Sequence, residues 1–248
     1  MGARSEWIYG RHPVAEALRT GRRRFFEIRL AEGTATKGLL GAILQRAQQG
    51  GIPVRRVPRG VLDSLAENHQ GVAARVAPYP YADLGEILQR AAHAARRRLL
   101  VLDRIQDPRN LGAVLRTAEG MGVQGVILAQ RGAAGVTPVA VRASAGASEH
   151  LLIARANIAQ ALRRLKGRGF WIYGLALDPG AKPLPQVRAA EATALVVGSE
   201  GAGMRRLVRE SCDLLISIPM RGLVASLNAS VAASIAMYAL WGRGDEEA

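Results

Sequence analysis

The chain has 248 residues, 49% of them hydrophobic, and carries 34 Lys and Arg against 20 Asp and Glu for a net charge of +14. That length and apolar content suit one large globular domain or two of ordinary size and exclude extensive disorder. The charge favours a polyanionic partner, nucleic acid ahead of anionic membrane, since no basic amphipathic helix of the membrane-surface kind stands out.

The opening MGARSEWIYG lacks the apolar core of a secretory signal. From Trp7 to Ala77 the pattern predicts an α/β domain that begins with a helix. A helix from Val14 to Thr20 is closed by Gly21, and Phe25 to Leu30 is a strand. Lys37 to Gln49 is a helix closed by Gly50 and Gly51, Ile52 to Val57 a strand, Gly60 to Ala66 a short helix, and Val72 to Val76 a strand. Residues 1–80 hold 13 Lys/Arg and 6 Asp/Glu, a net +7 that residues 81–248 spread over twice the length. Arg22, Arg23, Arg24, Arg55, Arg56 and Arg59 are the candidate RNA phosphate contacts, a role that sets affinity and register and not base identity. Taken singly, each is better explained as a solvated surface arginine.

Pro78-Tyr79-Pro80-Tyr81 is stiff and Pro-bounded, the composition of a linker. The expected division is therefore residues 1–77 as an RNA substrate-binding domain, 78–82 as linker and 83–248 as a second α/β domain. In that domain helices are predicted at Asp83 to Ala95, Asn110 to Met121, Val139 to Ser144 and Ile158 to Lys166. Strands are predicted at Arg98 to Leu102, Gly125 to Ala129, Leu151 to Ala154, Phe170 to Leu175, Ala194 to Val197 and Leu214 to Ile218. Buried strands alternating with helices imply a largely parallel sheet covered on both faces. The final apolar stretch, Val231 to Trp241, is too short to span a bilayer, so a cytoplasmic protein without membrane attachment is expected. A single cysteine, Cys212, and four scattered histidines exclude a disulfide framework and a multi-Cys zinc site, and no metal site is expected.

Two strands of the second domain end in loops that look chemical. Gly198-Ser199-Glu200-Gly201-Ala202-Gly203 spaces three glycines so that backbone can approach a ligand, with one carboxylate among them. Pro219 to Asn228 opens the last helix. In open α/β sheets ligands sit beyond the carboxyl ends of strands, so the two loops are expected to wall one pocket. Asn110 reads either as the cap of its helix or as a site residue, Ser226 as the N-cap of the last helix or as a site residue, and Glu200 as a tie between loop amides or as a site residue. Asn228, placed just inside that helix, gains little there from structure alone.

Asn110-Leu111-Gly112-Ala113-Val114-Leu115-Arg116-Thr117-Ala118, Gly198 to Gly203, and Ser226-Leu227-Asn228-Ala229-Ser230-Val231-Ala232 stand in one order along the chain, with Ile216 to Met220 before the last. Together they resemble the three motifs of the SpoU-type, or TrmH-like, RNA ribose 2′-O-methyltransferases. Ile8 to Val14 and His69-Gln70-Gly71-Val72 resemble the substrate-binding domain of the bacterial large-subunit ribosomal RNA guanosine 2′-O-methyltransferases, so the likeness spans almost the whole chain. It implies a C-terminal α/β domain tied in a deep trefoil knot, an exception to the general avoidance of knots. It also implies a ribosomal-protein-like N-terminal domain, a homodimer, and S-adenosylmethionine bound in the knot by Gly198, Ile218, Met220 and Leu227. The implied substrate is large-subunit rRNA or an assembling ribosomal particle; tRNA, or an RNA-binding protein without catalysis, are the alternatives. By the same resemblance Asn110, Arg116, Glu200, Ser226 and Asn228 are the catalytic set.

The chemistry asked of such a site is limited. A sulfonium methyl is already reactive, so the protein must align a ribose 2′-hydroxyl with it and assist loss of the proton, without a metal. A guanidinium stays protonated in proteins, so Arg116 is expected to hold the neighbouring phosphate and stabilise negative charge developing on the oxygen, not to act as a base.

Overall fold

The computed structural model describes residues 4–223 and 226–242. The chain forms two compact units, one made of residues up to Pro80 with Val136–His150, the other of Tyr81–Gly135 with residues from Leu151 onward.

The first unit opens with a strand, β1 (Glu6–Tyr9), followed by α1 (Arg11–Thr20), β2 (Phe25–Ala31), α2 (Leu39–Gln49), β3 (Val54–Val57), α3 (Arg59–Asp63) and β4 (Val72–Val76). The sheet order is β1-β4-β2-β3, with β4 antiparallel to β1 and β2 and β3 parallel to β2. The carboxyl ends of β1, β2 and β3 therefore lie at one edge. Ile8, Val14, Ala17, Ile28, Leu30, Leu40 and Ile43 are buried and form the core. Ala31, Leu62 and Ala73 make a second small cluster with Trp7, Tyr9 and Val57. Strand β1 is absent from the sequence expectation because four residues give almost no periodicity; its pairing with Val72–Val76 is what defines it. Gly21 ends α1 as expected, at φ 62°, with its amide donating to the Ala17 carbonyl at 3.2 Å.

The chain continues through α4 (Leu84–Ala92), β5 (Arg97–Asp103), α5 (Pro108–Gly120), β6 (Gly125–Ala129), α6 (Pro138–Ala143), β7 (Leu152–Ala156), α7 (Ile158–Lys166), β8 (Trp171–Leu175), β9 (Lys182–Pro183), β10 (Ala192–Gly198), α8 (Arg206–Glu210), β11 (Leu214–Ser217) and α9 (Ala229–Trp241). Of these, α6 belongs to the first unit. The other strands form a seven-stranded sheet, β7-β6-β5-β10-β8-β11-β9, in which every pairing is parallel. All seven residues of β10 are buried, and its centre, Ala194 to Val197, is accordingly an unbroken apolar run. Its register sets Gly198 beside Asp103 at the end of β5. That pairing brings the glycine loop next to the loop that starts α5. Helix α9 packs along α5, where the Thr117 and Ser234 hydroxyls lie 2.8 Å apart.

Residues 136–150 depart from the expected continuous domain of 83–248. They pack in the first unit through an ion pair with no exposed side-chain surface: Arg23 Nε donates to Glu149 Oε2 at 2.9 Å, and Arg23 also pairs with Glu6. His150 Nε2 lies 2.7 Å from Glu16 Oε2. Tyr79 of the expected linker is buried, its hydroxyl donating to the Ser148 carbonyl at 3.0 Å and its ring 5.0 Å from the Arg23 guanidinium. Burial pushes that phenol up to about 12. Pro78-Tyr79-Pro80 is thus anchored at its middle residue.

Candidate active site

The loop after β10 is closed on itself. Ser199 N donates to Gly203 O at 3.1 Å and Gly203 N to Ser199 O at 2.9 Å. Gly201 and Gly203 have φ of 77° and 64°, values that side chains disfavour. A Cβ on Gly198 would stand 2.1 Å from the Gly203 carbonyl carbon and 2.3 Å from Met204 N, so only glycine permits this turn. The foot of the loop is held by Asp103, which has no exposed surface. Its carboxylate accepts from Arg205 N and Nε, each at 2.9 Å, and pairs with the Arg205 amino group at 2.7 Å.

Against this loop lies a cavity of about 310 Å³. Its walls combine the backbone of Gly198 to Gly203 with the apolar side chains of Leu175, Leu177, Ile218, Met220 and Leu227; Glu200 and Ser226 reach its edge. All four residues expected to hold the cofactor line it. A polar chain from three separate segments adjoins it: Asn228 Nδ2 donates to Asn110 Oδ1 at 3.1 Å, and Asn110 Nδ2 donates to Glu200 Oε2 at 3.5 Å.

The helix caps differ from the sequence expectation. Asn228, not Ser226, is the N-cap of α9, its Oδ1 accepting from Ser230 N at 2.9 Å and Ser230 Oγ at 2.6 Å. Asn110 is the third residue of α5, which Asp107 caps and Pro108 opens. Its amide is thereby available to Glu200 and Asn228. Arg116 sits six residues farther along α5, about 9 Å on the helix axis. It is exposed and has no hydrogen-bond or ion-pair partner among the described residues. The structure thus joins Asn110, Glu200 and Asn228, places Ser226 at the cavity edge, and leaves Arg116 outside the cluster.

Asp103, Arg205 and Leu175 to Leu177 are the parts that sequence reasoning missed. A carboxylate directly after the apolar run Leu99 to Leu102 was the available sign of Asp103. Burial, with Asp213 nearby, lifts the Cys212 thiol to about 12, which keeps it protonated near neutral pH. Among the described residues no group of His, Cys, Asp or Glu is arranged to hold a metal.

The candidate RNA contacts separate into two sets. Arg23 is a correction, because its guanidinium is sealed between Glu6 and Glu149 and cannot meet a phosphate. Arg22 is half-buried and donates to the Glu149 and Pro80 carbonyls, each at 3.1 Å. Arg24, Arg55, Arg56 and Arg59 are exposed.

Residues 97–238 match the SpoU rRNA methylase family, and residues 7–82 match the RNA 2′-O-ribose methyltransferase substrate-binding domain. The chain belongs to the SpoU rRNA methylase family. It is 40% identical over 245 residues to YacO of Bacillus subtilis, assigned to the TrmH family of tRNA/rRNA methyltransferases, covering 97% of each chain. A Staphylococcus saprophyticus protein of the same designation is 42% identical over 93% of each. Among solved structures, an AdoMet-bound rRNA methyltransferase from Sinorhizobium meliloti superposes with a TM-score of 0.79 at 24% identity, over 95% of this chain and 86% of that one. An RNA methyltransferase assigned to the TrmH family, from Porphyromonas gingivalis, gives 0.75 at 25%, over 97% and 90%. The fold is that of the SpoU methyltransferases, an N-terminal substrate-binding domain followed by an α/β domain with a parallel sheet, consistent with the knotted architecture.

Proposed function

We propose that this RNA 2′-O-ribose methyltransferase uses S-adenosylmethionine to methylate a guanosine ribose in large-subunit ribosomal RNA. The observation that carries the reading is the Glu200–Asn110–Asn228 chain at the rim of a glycine-walled cavity. The cavity fits the cofactor in chemistry and size: a loop of small residues lets backbone approach a purine edge, the apolar side chains suit its faces, and the volume lies at the small end of ligand sites. When bound, S-adenosylmethionine supplies an electrophilic methyl carbon on sulfur.

The chain's own residues do the rest. Gly198 lets backbone close on the cofactor, while Ile218, Met220 and Leu227 exclude water from it. Asn110 and Asn228, fixed by their mutual hydrogen bond, orient the ribose, and Glu200 holds Asn110. Ser226 lies at the mouth, where its hydroxyl can meet substrate. Arg116, extended from the exposed face of α5, grips the phosphate beside the target ribose and stabilises charge growing on the 2′-oxygen; the proton passes to that phosphate or to water.

A homodimer is part of this proposal. Val231, Ile235 and Tyr238 are 46%, 40% and 58% exposed at i, i+4, i+7 spacing on α9, an apolar stripe suited to a second copy of the chain. A cytoplasmic location follows from the substrate, and no helix among the described residues is long and apolar enough to cross a membrane.

The ribosomal assignment rests on the N-terminal likeness noted in the sequence, whereas the relatives carry a joint tRNA/rRNA designation. The test is incubation with isotopically labelled S-adenosylmethionine and, separately, unmodified large-subunit rRNA and unmodified total tRNA. Label at one rRNA guanosine is the expected result. Label on tRNA alone moves the substrate to tRNA, and absence of label with either RNA and of cofactor binding overturns the reading.

A further inference from the structure

The first unit holds a second cavity, a basin of about 520 Å³ bordered by Arg11, Glu32, Thr34, Arg59 and Gln70. These residues come from the segments that follow β1, β2 and β3 and from the turn that precedes β4, so they share the edge where those three strands end. Sheet edges of this kind are where α/β proteins place ligands.

The turn before β4 is built to aim Arg11. Asn68, Gln70 and Gly71 all have positive φ, at 60°, 55° and 82°, and two of the three are not glycine. His69, 1% exposed, holds the turn from inside: its Nε2 lies 2.9 Å from Asp63 Oδ1, and its Nδ1 accepts from Gly71 N at 3.0 Å. The strained Gln70 then accepts twice from Arg11, through its side-chain oxygen from the Arg11 amide at 3.1 Å and through its carbonyl from Nε at 3.2 Å. Arg11 is thereby tethered at Nε, and its two terminal amino groups have no partner among the described residues. Arg59, exposed and likewise without a partner there, borders the same basin. A guanidinium fixed from behind with its fork open is the arrangement that binds a phosphate in two-point fashion.

Glu32 makes a bare phosphate an incomplete occupant, because its carboxylate would repel one. It suits a ligand that presents hydrogen-bond donors next to the anion, as a ribose hydroxyl or a base N–H does beside a nucleotide phosphate. We propose that the basin receives one unpaired nucleotide of the RNA substrate, its phosphate between Arg11 and Arg59 and a donor of its sugar or base on Glu32. The proposal rests on the RNA-methylating function above and adds to it a subsite in the first unit.

The test is retention of an unmodified rRNA fragment by the full chain across a salt series, with S-adenosylmethionine affinity measured in parallel. Arg11→Ala/Arg59→Ala is expected to weaken RNA binding tenfold or more and to reduce the salt slope by about 1, cofactor affinity unchanged. Arg59→Ala alone, at an exposed side chain that anchors nothing, is expected to show part of the same loss in a folded protein. Glu32→Gln is expected to weaken binding with the slope unchanged. RNA affinity equal to wild type in the double variant overturns the subsite alone. Tighter binding by Glu32→Gln, the sign of simple repulsion relieved, overturns the nucleotide assignment. A wild-type chain that neither binds nor methylates RNA overturns the function and the subsite together.

Discussion

The two cavities are built from opposite materials. The one in the second unit is walled by loop backbone and apolar side chains, and its shape is guaranteed by Gly198, where no Cβ fits. The one in the first unit is bordered by charged side chains, and its shape is guaranteed by a strained turn held by a buried histidine. Backbone walls select one small molecule by contour, whereas fixed guanidinium groups grip any polyanion of suitable spacing. On the proposed assignments, recognition of donor and of RNA is separable, and substitutions are expected to divide cleanly between the two.

The largest effect is expected from Gly198→Val. A side chain 2.1 Å from the Gly203 carbonyl carbon forces the loop open, so calorimetry is predicted to show S-adenosylmethionine affinity reduced at least 100-fold, with RNA retention unchanged. Parallel loss of RNA binding would erase the distinction between the two cavities.

Next comes Arg116→Lys, which keeps the charge and loses the planar fork. Turnover is predicted to fall more than tenfold at unchanged cofactor affinity; near-full turnover would rule out the two-point phosphate grip.

Arg23→Met probes the first unit without touching either cavity. It leaves Glu149 buried with its principal partner gone, a change that costs about 3 kcal/mol in comparable pairs. Burial already pushes the Glu149 carboxyl above its usual value near 4.5, with Arg23 opposing. The folded pKa therefore exceeds the unfolded one, so the variant should be most stable below about pH 4.5 and lose stability as pH rises through the raised value. Thermal melts of wild type and variant across that range check both sign and size; a deficit that grows toward acid contradicts the assignment.

The smallest effect concerns Tyr79. With its phenol raised to about 12, the stability it contributes is present below pH 10 and is lost between pH 10 and 12. Ultraviolet titration should show late-ionising tyrosine in the folded protein, Tyr79 near 12 and Tyr173 also raised by burial, and replacement of Tyr79 by Phe should remove one such tyrosine from the late step.

Much of the glycine-walled cavity was legible in the sequence, since glycines spaced around a carboxylate at the end of an apolar strand carry their meaning locally. What escaped depended on partners distant in sequence. Arg23 reads as one of three surface arginines until Glu149, 126 residues away, is seen to neutralise it. The Arg11–Gln70 contact spans 59 residues and turns on a positive φ at Gln70, for which no residue type gave a signal. The cap of α9 was misplaced by two residues because Ser226 and Asn228 are both good capping residues, and only the backbone at Asn228 decides between them. Strand β1, four residues beside Gly10, acquires its identity solely from β4.

The most direct measurement is nucleoside mass spectrometry of unmodified large-subunit rRNA after reaction with the purified chain and isotopically labelled S-adenosylmethionine. The account predicts labelled 2′-O-methylguanosine from a single position. Label on a base in place of the ribose oxygen, or no labelled nucleoside from any RNA offered, would contradict it.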